Sequence, residues 1–210
     1  MIRDVEHPDL CYDLAVMEIT ADRLDEILSA LSEHLQASGV SLELVIIGGS
    51  GLQALGLVRR GTKDVDVLAI KDGSTIRSAD PFPKELERAR ALVARDFGLD
   101  EDWLNGKPTS LLDFDLPDGF WKRVVTRQYG PALRIHFASR FDQIHFKLYA
   151  MVDDRIGSRH EADLRTLSPT RDELLAAARW AMTHDVSETF RELLLQALRH
   201  LGVEDADLGG

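Results

Sequence analysis

Asp64 and Asp66 flank Val65 in Thr62-Lys63-Asp64-Val65-Asp66-Val67, a run rich enough in β-branched residues to form a strand. Alternate side chains of a strand share a face, so the two carboxylates project together while Val65 and Val67 pack inward. Two neighbouring carboxylates repel unless a cation or a proton sits between them. Their oxygens suit Mg²⁺, which takes one or two carboxylates and completes its shell with water and a nucleotide's phosphates. Upstream stands Gly48-Gly49-Ser50-Gly51, where the backbone can turn tightly and bring its N–H groups close to an anion. The apolar run Leu44, Val45, Ile46 and Ile47 before it predicts a buried strand, and Leu52 to Val58 after it predicts a short helix whose N-terminus faces the glycines. A phosphate cradle beside a metal-binding pair is chemistry for phosphoryl or nucleotidyl transfer.

The stretch from Leu44 to Ile70 resembles the signature of the nucleotidyltransferase superfamily: a Gly-Gly or Gly-Ser turn, about ten intervening residues, then Asp-apolar-Asp. The turn here is Gly49-Ser50 and the acid pair is Asp64 and Asp66. The local form Arg60-x-Thr62-x-Asp64-Val65-Asp66 resembles the branch that holds the abortive-infection type nucleotidyltransferase toxins and their nucleotidyltransferase-like relatives. So does the block Phe141-Asp142-Gln143-Ile144-His145-Phe146-Lys147-Leu148-Tyr149-Ala150, followed by Asp163-Leu164. The resemblance, which covers residues 44–167, implies an α/β (α+β) fold with a small mixed sheet flanked by helices. It implies metal at Asp64 and Asp66, a nucleoside triphosphate (NTP) held by Gly49, Ser50, Arg60, Thr62 and Lys147, and Lys147 and Asp163 completing the catalytic set. A competing pattern is G-x-G-x-x-A over Gly49 to Ala54, after a strand and with Asp72 about twenty residues on, the fingerprint of a dinucleotide fold. Against it, Gly56 and Gly61 cut the helix short, no second βαβ half follows, and Asp64 and Asp66 go unexplained.

Lys147 interrupts the apolar helix stripe Phe141, Ile144, Leu148 and Met151, so it must either snorkel to water or meet an anion. For Asp163, spacing alone offers a surface pair with Arg159, one helical turn away. The resemblance instead gives it the task of orienting Lys147 or assisting deprotonation of the acceptor. Asp115, in the second Asp-x-Asp at Asp113 to Asp115, is considered as a third carboxylate, but Pro117 and the short run around it favour a loop. His136, His145, His160 and His184 are expected to be structural or surface residues. The reaction implied is Mg²⁺- or Mn²⁺-dependent transfer of a nucleotide from an NTP to an RNA 3′ end or a protein hydroxyl. By resemblance it is toxin-like, with an antitoxin-like partner. The alternative is a catalytically idle module that binds a nucleotide or a partner, and the want of a clear third carboxylate keeps that alternative open.

The elements that must position these residues follow from periodicity. Leu24, Ile27, Leu28, Leu31 and Leu35 predict a helix after Thr20, and Pro83 to Phe97 another, stopped by Gly98. Residues 99–119 are expected to be an irregular flap. Arg123 to Gln128 and Leu133 to Phe137 predict a hairpin around Tyr129-Gly130-Pro131. Helices follow at Arg140–Val152, Arg159–Leu167, Thr170–Met182 and Val186–Leu201, with Thr170 and Glu173 forming a capping box. The domain division expected is a core over residues 1–167, with a loosely held arm to about Val16, and a C-terminal helical segment over 168–210. The 210 residues, 44% hydrophobic and 29% charged, suffice for a core. Cys11 is the only cysteine, which excludes an intrachain disulfide and a cysteine zinc site. No apolar run approaches a membrane span, and MIRDVEHPDL is no secretory leader, so a cytoplasmic protein is expected. The net charge of −11 opposes nonspecific nucleic-acid binding, although Lys122, Arg123, Arg127, Arg134, Arg140, Lys147, Arg155 and Arg159 concentrate positive charge in one segment.

Overall fold

A computed structural model describes residues 18–154 and 157–208; the N-terminal arm, Cys11 and Arg155 lie outside them. The helix expected after Thr20 is α1 (Ala21–Ala37), and it buries Leu24, Ile27, Leu28, Leu31 and Leu35. Strand β1 (Leu42–Ile47) carries the apolar run and leads straight into α2 (Gly48–Ala54). This corrects the expected order, because the glycines form the first turns of the helix rather than a loop ahead of it. Strand β2 (Val65–Asp72) runs antiparallel to β1, pairing Ile47 with Asp66 and Glu43 with Lys71. A dinucleotide βαβ unit needs the strand after its first helix to be parallel, so this pairing excludes that fold. Asp72 closes a hairpin instead, into β3 (Thr75–Ser78).

Helix α3 (Lys84–Phe97) begins after Pro83 and ends at Gly98, whose φ of 62° is the left-handed conformation that a helix stop uses. The segment read as a flap holds β4 (Leu104–Asn105), parallel to the start of β2, and a 3₁₀ helix, Lys107–Asp113. Trp103, fully buried with its indole N–H on the Arg90 carbonyl at 3.1 Å, anchors β4. After a single turn, α4 (Phe120–Arg123), the hairpin β5 (Val125–Tyr129) and β6 (Leu133–Phe137) forms as expected. Strand β6 lies parallel to β1, and the six strands make one mixed sheet, β3-β2-β1-β6-β5 with β4 beside β2. Helices α5 (Arg140–Asp154), α6 (Arg159–Leu167), α7 (Arg171–His184) and α8 (Glu188–His200) complete the chain.

Strand alternation divides the core between the two faces of the sheet. Leu44, Ile46, Val65, Val67, Ile135 and Phe137 pack with α1 and α3. Val45, Ile47, Leu68 and Ala138 pack with Ile144, Leu148 and Met151 of α5 and with the apolar sides of α6, α7 and α8. Each fully buried leucine or isoleucine contributes about 1.5–3 kcal/mol, so both helical layers are held mainly by this burial. Polar clamps set their angles. Arg140 donates to the Leu167 carbonyl at 3.0 and 2.6 Å and pairs with Glu173 at 2.6 Å, which fixes the start of α5 against the end of α6 and the start of α7. The capping box predicted at Thr170 and Glu173 is present.

Candidate active site

Four elements converge at the end of the sheet where β1 gives way to α2. Asp66 is the second residue of β2, half-buried, and Asp64 lies just ahead of the strand, its Oδ1 accepting from Thr62 Oγ1 at 3.2 Å. Thr62 is itself fixed by backbone pairing with Ile19 in both directions, at 2.7 and 3.0 Å. Burial, and then the neighbouring Asp64 carboxylate, lift the Asp66 carboxyl above its ordinary range; Asn105, Lys147 and Arg159 oppose that shift. Asn105 Nδ2 donates to Asp66 Oδ1 at 3.3 Å, while Asn105 Oδ1 accepts the Lys107 N–H at 3.1 Å.

Gly48 explains its own residue type. Its φ is 75°, and a Cβ there would overlap Asp66 Oδ2. At Gly51 a Cβ would come within 2.8 Å of Gln143 Nε2, and Gln143 Oε1 accepts the Gly48 N–H at 3.1 Å. These glycines let α2 press against the acid pair and α5. Gly49 faces Thr62 Oγ1 and Arg60 Nη2, where a Cβ would lie at 3.2 and 3.4 Å. Ser50 is fully buried with no partner for its Oγ, and Gln143 Nε2 is likewise unpartnered.

Beside the acid pair lies a three-membered ion cluster, two of its members buried and Arg60 exposed. Lys147 Nζ meets Asp163 Oδ2 at 2.7 Å, and Arg60 grips the same carboxylate through Nε to Oδ1 at 2.8 Å and Nη2 to Oδ2 at 2.6 Å. Lys147 is 4% exposed and Asp163 1%. Burial alone would raise the Asp163 carboxyl, but Arg60 and Lys147 outweigh it and hold the group ionised below the usual range. Burial, with Arg60 adding to it, depresses Lys147 against the pull of Asp163 and Asp66. The stripe lysine thus meets an anion rather than water. Asp163 takes Arg60 and Lys147 as partners in place of the surface pair that spacing suggested with Arg159.

No protein-family model matches this chain, and no curated protein matches it. Among solved structures it is similar to an antigenic nucleotidyltransferase-like protein from Paracoccidioides brasiliensis, with 14% identity over 88% of this chain and 91% of that one and a TM-score of 0.48. The functional reading therefore stands on the site residues themselves.

The donor set fits a divalent cation that prefers oxygen. Asp64 and Asp66 share one side of the site, and the buried Asp66 anion lacks a full counter-charge. Among the described residues no third His, Cys, Asp or Glu joins them as a metal cluster. Asp115 does not join the pair: it is exposed on the loop before α4, and its carbonyl accepts the Trp180 indole N–H at 2.8 Å. Cavities of about 820 and 910 Å³ lie around that loop, with Trp180 and Phe114 in the first and Phe114 and Trp121 in the second; neither is lined by the acid pair. His136 is structural, bonded to Thr126 and Glu43 at 2.8 Å each, and His145 bonds the Phe141 carbonyl. Two residues of the site had no role in the sequence reading: Asn105 and Gln143. Gln143 stood inside the quoted block, but nothing in its spacing marks a contact to Gly48. Asn105 sits in a stretch too irregular to show that it lies beside a strand.

Proposed function

We propose that this protein is a metal-dependent nucleotidyltransferase acting on an NTP and a hydroxyl acceptor, an RNA 3′ end or a protein side chain. The observation that carries the reading is the buried Lys147–Asp163 pair, closed on its outer side by Arg60 and set against the Asp64–Asp66 pair. Burying the Lys147 and Asp163 charges costs several kcal/mol per ion before pairing offsets it, and hydrophobic residues of the same volume would hold the fold at least as well. A cationic cluster beside paired carboxylates supports a site built for a polyanion carried with a cation.

Asp64 and Asp66 are the residues that would hold Mg²⁺ or Mn²⁺, which when bound neutralises triphosphate oxygens and polarises the α-phosphoryl group. Gly49, Thr62 and Arg60 line the approach to the acid pair, and Arg60 keeps a half-exposed guanidinium edge that can face phosphate. Lys147 supplies positive charge where negative charge grows on the phosphoryl oxygens, and its low exposure makes that charge effective. Asp163 is a positioning residue. Its carboxylate is ionised and doubly engaged, which makes it a poor base and a firm orienter of Lys147. Ser50, fully buried and unpartnered, supports the first turn of α2 from within. The acceptor oxygen attacks the α-phosphorus as its proton passes to solvent water, the bond from the α-phosphorus to the bridging oxygen breaks, and pyrophosphate leaves.

The resemblance to the abortive-infection branch supports a toxin-like role with an antitoxin-like partner. Its test is expression in a bacterial host, where wild type arrests growth and Asp66→Asn does not; equal growth of the two removes the toxin role. One observation favours the idle-module reading. Asn105, 4% exposed and paired in register with Asp66, puts a carboxamide beside the acid pair where a third carboxylate could stand. Magnesium-dependent transfer of label from an NTP decides between the two: transfer supports the enzyme, and binding without transfer supports the module.

A further inference from the structure

We propose that the cavity between the loop ahead of α4 and helix α7 is a second binding site, for an organic cation that carries an alkylguanidinium group. It stands apart from the acid pair and does not depend on the nucleotidyltransferase reading. Helix α5 serves both places. Gln143 and Lys147 meet Gly48 and Asp163, whereas Phe141 and His145, each two residues back and so about 200° round the helix, line a cavity of about 820 Å³. Its walls are aromatic, made by Phe141, Phe114 and Trp180. Phe114, on the loop, is nearly half exposed and stacks on His184 with ring centroids 4.7 Å apart. The Trp180 indole N–H donates to the Asp115 carbonyl at 2.8 Å and ties that loop to α7.

The donors and acceptors on the lining decide the ligand's chemistry. The side-chain donors are mostly engaged: Thr183 by the Trp180 carbonyl at 2.7 Å, and Arg123 by Asp142 at 2.5 Å and the Asp118 carbonyl at 2.6 Å. Arg179, exposed on α7, is the lining cation left over. Acceptors remain in excess. Asp113, Asp115 and Asp118 are exposed, and their carboxylates have no hydrogen bond or ion pair among the described residues. His145, 3% exposed, donates its Nδ1–H to the Phe141 carbonyl at 2.8 Å, which leaves Nε2 without a partner on the cavity lining. Burial holds this imidazole below its ordinary range, so Nε2 carries a lone pair at pH 7. The complementary ligand is donor-rich, cationic and flat enough to lie against rings. A guanidinium meets all three conditions, since its edge donates while its face stacks. The protein holds the same arrangement internally, with the Arg123 guanidinium carbon 4.7 Å from the Phe141 ring centroid.

The test is calorimetry with agmatine and with N-acetyl-arginine amide, and with N-acetyl-citrulline amide as the uncharged counterpart, after melting curves show each variant folded. Wild type should bind both guanidinium probes saturably and the citrulline compound about tenfold more weakly or worse. Tighter binding of agmatine assigns the site to a free alkylguanidine, and tighter binding of the blocked arginine assigns it to a peptide's side chain. Phe114→Ala and His145→Phe leave the net charge at pH 7 as it is, so a loss of about tenfold in each separates a built site from general attraction to an acidic protein. Asp113→Asn, Asp115→Asn and Asp118→Asn combined should weaken binding at least as much. Asp66→Asn should bind as wild type does. Failure of wild type to bind either guanidinium probe overturns the proposal, as does equal binding of the citrulline compound. Binding that survives intact in Phe114→Ala and in the triple variant, or that is lost in Asp66→Asn, overturns it too, because the cation then sits elsewhere.

Discussion

At the scale of single residues, the site trades stability for charge. Asp66 binds protons more readily folded than unfolded, so between its ordinary value and its raised folded one the native state holds more protons, and stability falls as pH rises through that window. Above the window its charge is a standing cost. Asp66→Asn should therefore raise the melting temperature of metal-free protein at pH 7; Mg²⁺ should raise that of wild type further, and the substitution should remove this second rise. A drop in melting temperature on this substitution would contradict the account of the acid pair. The ion cluster behaves in the opposite sense. Asp163→Ala strands Lys147 and Arg60 together and should cost about 3–5 kcal/mol in denaturant unfolding. Lys147→Met leaves Asp163 its bidentate Arg60 and fills the same apolar stripe, so stability should change little while turnover falls about a hundredfold or more. These residues were legible in unequal measure. The carboxylates announce themselves by alternation on a strand, and Lys147 by interrupting an apolar stripe. The partner of Asp163 did not, since Arg60 is far away in sequence and Arg159 is one turn away.

At the scale of elements, the glycine-rich turn does its work by close packing. Gly48→Ala places a methyl against Asp66 at a positive φ, and should destabilise the fold by about 1–3 kcal/mol and impair Mg²⁺ binding; thermal melts with and without the ion measure both. Thr170→Ala breaks the capping box of α7 and should cost about 1 kcal/mol without touching the site. Long elements with a clear period were readable to within a few residues: α1, α3, β6 and α5 each bury a regular apolar face. What escaped was short or exposed. Strand β3 has no buried residue over Thr75–Ser78, and β4 is two residues long, so neither shows alternation. Both exist because β2 offers them an edge. Asn105 went unseen for the same reason, since its place beside Asp66 is a product of tertiary pairing. The expected start of α2 at Leu52 missed because glycines read as a turn, whereas here their lack of a side chain admits a helix where no other residue fits.

At the scale of the molecule, two helical layers sandwich one sheet, and the site lies where β2, α2, α5 and the middle of α6 meet. Among the described residues no helix is long and apolar enough to cross a membrane. Helices α6 and α8 are clipped together by Glu161 and His200, and the Gly157 N–H, His200 and Arg165 bring the Glu161 carboxyl down to about 2 from an ordinary 4.5. A depressed carboxyl contributes stability that is complete above its unfolded value and is lost as pH falls through its folded one. Glu161→Gln should therefore flatten the acid limb of the stability curve between pH 4.5 and 2, as read by denaturant unfolding across that range. The central claim is that the acid pair and the cluster beside it form one catalytic site. Its most direct test is transfer of label from each of four α-³²P NTPs to total RNA and to soluble protein, with Mg²⁺, by wild type, Asp66→Asn and Lys147→Met. The account predicts magnesium-dependent labelling by wild type, none by Asp66→Asn and at most about a hundredth by Lys147→Met. Labelling that persists undiminished in either variant would contradict it.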